Sequence, residues 1–342
     1  MKKNNYIIIL LSVLIFISVT YLISNNYENF QTATNYDIII IAGQSNACGA
    51  GTRNTGTSIR GPIYNAANDA PNPRIKQLSK TNTIIEARDP LDHSQDRTGY
   101  RPSVGFGMSF AKEYIRNERL TGERNILIIG CGWGGSSMFN SEYYWKKPTA
   151  GNNLSKSLHN ITISRVNAAK PLIGRTSKIV AFLWHQGESD SSYIATNTTN
   201  YNLYKAALKE TLTSMRSEIM RFYNQTYQFP ILLGGLTPDT WINRITHARF
   251  PAANSDTMTF LIQKVSNPSD PDYIIKSSFV PSFSIPPPTG TYNFNYRLQS
   301  DNELDSKGVN IPGKEGSGVS HFSATSMRHF GIRYFYYYNL IK

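Results

Sequence analysis

Ser45 stands in the stretch IIIIAGQSNA, between Gly43 and Asn46 and just beyond four consecutive isoleucines. A serine in a tight turn at a strand tip has its hydroxyl lifted out of the sheet plane, where a base can reach it. The same position also suits a helix N-cap. His321, near the far end of the chain, is the residue type that takes up and returns a proton near neutral pH, although a lone histidine is usually structural. Between the two lies GCGWGGSSM, Gly130 to Met138, with four glycines within six residues. Such a run lets backbone amides approach a bound group, an oxyanion among them. It lacks the Lys-Ser/Thr ending of a P-loop and the full dinucleotide fingerprint, which argues against a phosphate cradle. Further on comes HQGESD, His185 to Asp190. The amide of Gln186 can donate to a developing oxyanion, and the carboxylate of Glu188 can orient a histidine or contact substrate. Acidic residues in that place also suit a helix N-terminus.

Strands must deliver these groups. Asp37 to Ala42, Asn125 to Gly130 and Lys178 to Trp184 are apolar runs that read as strands buried on both faces, each ending at one of the three motifs. Open α/β sheets place their ligands at such strand ends. Pro230 to Leu236 is a fourth strand and Tyr273 to Val280 a candidate fifth. Helical spacing marks Ser103 to Leu120, with Ser103 as a cap, Tyr201 to Tyr223, and a last helix from Ser323 whose apolar face includes Met327, Phe330 and Phe335. Gly49 to Arg101 reads as a long loop with weak strand character only at Thr83 to Ala87, and it is expected to wall the site. Pro281 to Tyr296 reads as a surface excursion.

The chain has 342 residues, 40% hydrophobic and 17% charged, the composition of a folded protein. Its net charge of +12 comes from scattered lysines and arginines with no nucleic-acid motif, so no nucleic-acid partner is expected. Tyr6 to Ile23 carries no charge and follows Lys2 and Lys3. As a helix it would span about 27 Å, close to a bilayer core. Residues 1–23 are therefore expected to be an uncleaved membrane anchor, residues 24–36 a tether, and residues 37–342 one domain. The lysines place the N-terminus in the cytosol and the domain on the lumenal or extracellular side; secretion after signal cleavage is the alternative. Cys48 and Cys131 form no framework, and both an export-permitted disulfide and two buried thiols fit.

GQSNA, GGSSM, WHQGESD and the closing HFS followed by GIRYF together resemble the carbohydrate-esterase branch of the SGNH hydrolases, the sialate O-acetylesterase-like domain, from Asp37 to about Tyr336. The resemblance implies a three-layer α/β/α sandwich with a mainly parallel sheet, in line with the strand and helix alternation. It casts Ser45 as nucleophile and His321 as general base, with the Ser45 amide, Gly135 (Gly134 next) and Gln186 around the oxyanion, and it sets Gln44, Asn46 and Gly134 against the substrate. No metal or cofactor is implied. Many relatives carry Asp three residues before the histidine, where this chain has Gly318. Glu188 is expected as the third triad member, with Asp301, Glu303, Asp305, Glu315 or a Ser-His dyad as alternatives and Asp190 as a helix cap. The function implied is a serine esterase that hydrolyses O-acetyl or other short acyl esters on carbohydrate, such as sialic acid or acetylated polysaccharide, through an acyl-enzyme. A silent glycan-binding protein and a lipase or esterase on other small esters are the alternatives. Oligomeric state is not legible.

Overall fold

The isoleucine run forms the middle of β1 (Tyr36–Gly43), in which every residue is buried. Side chains alternate across a strand. Accordingly Ile38, Ile40 and Ala42 enter one core while Ile39 and Ile41 enter another. A strand apolar on both faces has to be central, and β1 is the middle of the seven strands among the described residues. A computed structural model describes residues 11–21, 33–49, 69–95, 104–139, 141–194, 197–236, 257–282, 321–322 and 324–342.

The remaining strands are β2 (Ile75–Leu78), β3 (Ile84–Glu86), β4 (Asn125–Gly130), β5 (Lys178–His185), β6 (Ile231–Gly234) and β7 (Ser277–Val280), in the order β3-β2-β4-β1-β5-β6-β7. Among the described residues only β2 and β3 pair antiparallel. Parallel neighbours require long crossovers, which carry the helices. Helix α1 (Gly107–Arg116) lies on one face, and α2 (Leu158–Ala169), α3 (Ser191–Ile194), α4 (Thr198–Tyr223) and α5 (Thr257–Val265) follow in sequence; α2, α4 and α5 cover the other face. The last helix, α6 (Ala324–Ile341), returns to lie beside α1, with Phe110 edge-on to Phe335 at 5.8 Å. The result is the α/β sandwich with a mainly parallel sheet. From β1 the chain goes first toward β4 and later toward β5, so the three motif-bearing strands are neighbours and their C-terminal ends share one edge at a switch point.

Several boundaries differ from expectation. Within its described part the long loop after the serine turn carries β3 where strand character is expected, at Thr83 to Ala87, and pairs it with an unexpected β2, because Ile75 and Leu78 are buried against the core while the polar residues between them mask the pattern. The spacing of apolar residues does not mark helix α2: it buries His159, Thr162 and Arg165 along with Leu158 and Val166, which hides its apolar stripe. Arg165 is held there by the carbonyls of Gly130 at 2.7 Å and Leu78 at 2.8 Å. Ser103 and the span from 283 to 320, which includes Gly318, Asp301, Glu303, Asp305 and Glu315, lie outside the described residues. Residues 11–21 are helical and exposed. Among the described residues no helix is long and apolar enough to cross a membrane, and the rest of the expected anchor lies outside them.

Candidate active site

β1 ends at Gly43, where φ is +131° and a Cβ would lie 1.9 Å from the carbonyl oxygen of His185. Only glycine fits so close to β5 in that backbone conformation. The Gln44 amide then donates to the same carbonyl at 2.8 Å, and Cys48 N–H to Gln44 O and Gly49 N–H to Asn46 O close the turn. Ser45 sits inside this turn, 6% exposed. Its Oγ lies 2.9 Å from His321 Nε2, across 276 residues of sequence. His321 is carried by the approach to α6, whose Phe330 and Tyr334 are fully buried and whose Tyr334 hydroxyl donates to Trp184 O at 2.8 Å. The anchorage of α6 on β5 is what brings the imidazole to the serine.

Asn46 joins the parts. Its Nδ2 donates to Glu188 Oε1 at 2.6 Å and its Oδ1 accepts from the Phe322 amide at 3.2 Å, so one side chain ties the serine turn to the β5 motif and to the histidine segment. Asn46 has no exposed surface, and it holds the site together instead of meeting substrate as expected. Gln44 is likewise engaged within the protein, its Oε1 accepting from Ser189 N–H at 3.2 Å.

Glu188 does not stand behind His321. Its Oε1 receives Asn46 and lies 3.3 Å from His185 Nε2 without forming a hydrogen bond to it, while its Oε2 has no hydrogen-bond partner among the described residues. The expected third triad member is therefore corrected. Strand alternation explains the difference: His185 faces the α1/α6 layer, edge-on to Phe322 and Phe330, and the turn at Gly187 (φ +142°) folds Glu188 back over its own histidine. Burial pushes the Glu188 carboxyl up, but the neighbouring His185 ring, its own amide and the Asn46 amide outweigh this and hold it below its ordinary value.

Gln186 is corrected for the same reason. It faces the opposite layer, where its Nε2 donates to Asp190 Oδ2 at 2.6 Å and its Oε1 accepts from the Tyr204 hydroxyl at 2.5 Å. Asp190 also accepts from the Met138 amide at 2.8 Å, so its side chain fastens the glycine block to the β5 turn and does not cap a helix. Burial raises its carboxyl to about 6, with the bonds from Gln186 and Met138 pulling the other way.

The glycine block extends the pairing of β4 beyond its end: Cys131 N–H donates to Ile41 O at 2.7 Å and Trp133 N–H to Gly43 O at 2.8 Å. It thereby runs alongside the serine turn. Two of its amides are already taken, Gly132 by His93 Nδ1 at 3.0 Å and Gly134 by Gln95 Oε1 at 2.8 Å. Gly134 is therefore unsuited to its expected contact with substrate through that amide. His93 and Gln95 had no signature in the sequence; they come from the long loop after the serine turn, which reaches the site as expected. Gly135, at φ +72°, is exposed, and a Cβ there would meet nothing within 4 Å. The amides of Ser45 and Gly135 make no hydrogen bond among the described residues. Cys48 and Cys131 are buried and not joined in a disulfide, with Cys48 Sγ lying against Gly132. Among the described residues no cluster of three or more His, Cys, Asp or Glu is arranged to hold a metal ion.

A nucleophile within hydrogen-bond reach of a base, beside amide donors not otherwise engaged, is an arrangement suited to acyl transfer. A family model described as "carbohydrate esterase, sialic acid-specific acetylesterase" matches residues 35–269. No curated protein matches the sequence. Among solved structures the chain is similar to NanS, with a TM-score of 0.60 and 19% identity over 90% of this chain and 98% of that one. It is also similar to an Arabidopsis thaliana protein, with a TM-score of 0.58 and 18% identity over 90% and 98% of the two chains. At these identities the likeness is one of fold.

Proposed function

We propose, because this chain belongs to the sialic acid-specific acetylesterase family of carbohydrate esterases, that it hydrolyses an O-acetyl ester on a sugar such as sialic acid through an acyl-enzyme. The observation that carries this reading is the 2.9 Å contact between Ser45 Oγ and His321 Nε2. His321 takes the Ser45 proton as the oxygen attacks the ester carbonyl. The tetrahedral oxyanion is held by the amides of Ser45 and Gly135, and one such donor is worth about 3 kcal/mol. As the intermediate collapses His321 protonates the departing sugar oxygen. It then deprotonates a water that attacks the acyl-serine, and acetate leaves.

Glu188 acts at one remove in this scheme, by fixing Asn46 and through it both the serine turn and the Phe322 amide. The membrane anchor and the lumenal or extracellular placement of the domain belong to the same proposal, supported by the uncharged run from Tyr6 to Ile23 and the lysines ahead of it.

The test is Ser45→Ala with an O-acetylated sialic acid as substrate. The variant should fold as the parent does and release no acetate. Turnover at the parent's rate would end the proposal, as would a parent enzyme that binds the sugar and never cleaves it.

A further inference from the structure

We propose that Trp133, stacked on Tyr143, is a platform for the pyranose ring of the acylated sugar; this rests on the esterase reading of Ser45 and His321 and gives that site its sugar-binding wall. Three tryptophans lie among the described residues. Trp145 and Trp184 have no exposed surface, whereas Trp133 is only partly buried. Its ring centroid is 4.0 Å from that of Tyr143 with the planes 25° apart. The ammonium of Lys156 lies 4.4 Å from the Tyr143 centroid. The indole thus lies against one face of Tyr143, and both rings are partly buried at the margin of the core.

The backbone of Trp133 is pinned at the site. Its N–H donates to Gly43 O at 2.8 Å, two residues before the nucleophile, and its carbonyl accepts from Ser136 Oγ at 2.6 Å, a hydroxyl that in turn receives Trp145 Nε1 at 2.8 Å. Gly134 and Gly135 follow with no side chains, and the space above Gly135 is open. The indole N–H makes no hydrogen bond among the described residues. A pyranose suits this surface. The C–H bonds on one face of the sugar meet the electron-rich face of the ring, and a rim hydroxyl accepts from the indole N–H. Seated there, the sugar brings an acetylated hydroxyl toward Ser45, with the oxyanion amides on the same edge.

The experiment compares the parent, Trp133→Phe and Trp133→Ala on two esters, an O-acetylated sialic acid and ethyl acetate, which has no ring to stack. The ratio of kcat/KM for the sugar ester to that for ethyl acetate should fall about tenfold in Trp133→Ala, mostly through KM, and by less in Trp133→Phe, which keeps a ring and loses the donor. In the Ser45→Ala background, calorimetry with the same sugar ester should show about tenfold weaker binding once Trp133 is also alanine. A ratio that does not move, or equal loss on both esters, would show Trp133 to be packing only and overturn the proposal. Sugar binding that survives intact in the double variant would do the same. These outcomes are separate from failure of the esterase reading, which shows as acetate release by Ser45→Ala with Trp133 in place.

Discussion

Asn46 Nδ2 and Glu188 Oε1 lie 2.6 Å apart in the buried floor of the site, joining the turn that carries Ser45 to the end of β5. Through its other amide atom Asn46 holds the backbone next to His321. Nucleophile and base thus share one buried side chain as a strut.

Replacing that strut should misalign the pair. Asn46→Ala leaves Glu188 Oε1 and the Phe322 amide short of a partner, at about 1–3 kcal/mol for each group. Misplacing the reacting groups by about 1 Å costs on the order of a hundredfold in rate. Asn46→Asp should be the less stable of the two variants, because a second carboxylate would face Glu188. Urea denaturation and ester turnover check both, and an Asn46→Asp protein as stable as the parent would contradict the charge argument.

Glu188→Gln should be mild where His321→Ala is severe. The glutamine oxygen still accepts from Asn46, so kcat/KM should stay within about tenfold of the parent, while loss of the base should cost about 10⁴-fold or more. Comparable losses in the two variants would return Glu188 to direct service behind the histidine.

Two glycines at the same edge should respond very differently to a methyl group. Gly43→Ala drives Cβ into the His185 carbonyl and should cost more than about 4 kcal/mol or prevent folding. Gly135→Ala meets open space and bears only the left-handed backbone, about 1–2 kcal/mol. Thermal melts of the two variants decide this.

Asp190 should give the fold a pH dependence of definite sign. Its carboxyl is raised from 3.8 to about 6, so between those values the folded protein keeps a proton that the unfolded chain has released. Its contribution to stability therefore falls as pH rises from about 4 to about 6 and is level outside that window. Denaturation midpoints between pH 4 and 7 should show this slope, and Asp190→Asn should lessen it, leaving the part due to Asp89, whose carboxyl burial raises to about 7. An unchanged slope in the variant would assign the effect to another group.

The local code of the chain was enough to locate β1, β4 and β5. Long apolar runs rich in β-branched residues leave a chain few options other than buried central strands, and each of these runs ends in the glycines and polar residues of a motif. It also set Ser45, the glycine block and the HQGE turn at strand ends, and it suggested His321 before a closing helix. Only the tertiary structure decided which of these groups face one another. The turn at Gly187 and the alternation of side chains at the end of β5 send Gln186 to Asp190 on one layer and Glu188 to His185 on the other, outcomes that depend on what each layer presents. The amides of Gly132 and Gly134 are withdrawn by His93 and Gln95 from a loop without periodicity, leaving Gly135 open. The meeting of Ser45 with His321 depends on α6 docking against β5. That is a long-range packing event, for which no spacing between the two residues could stand.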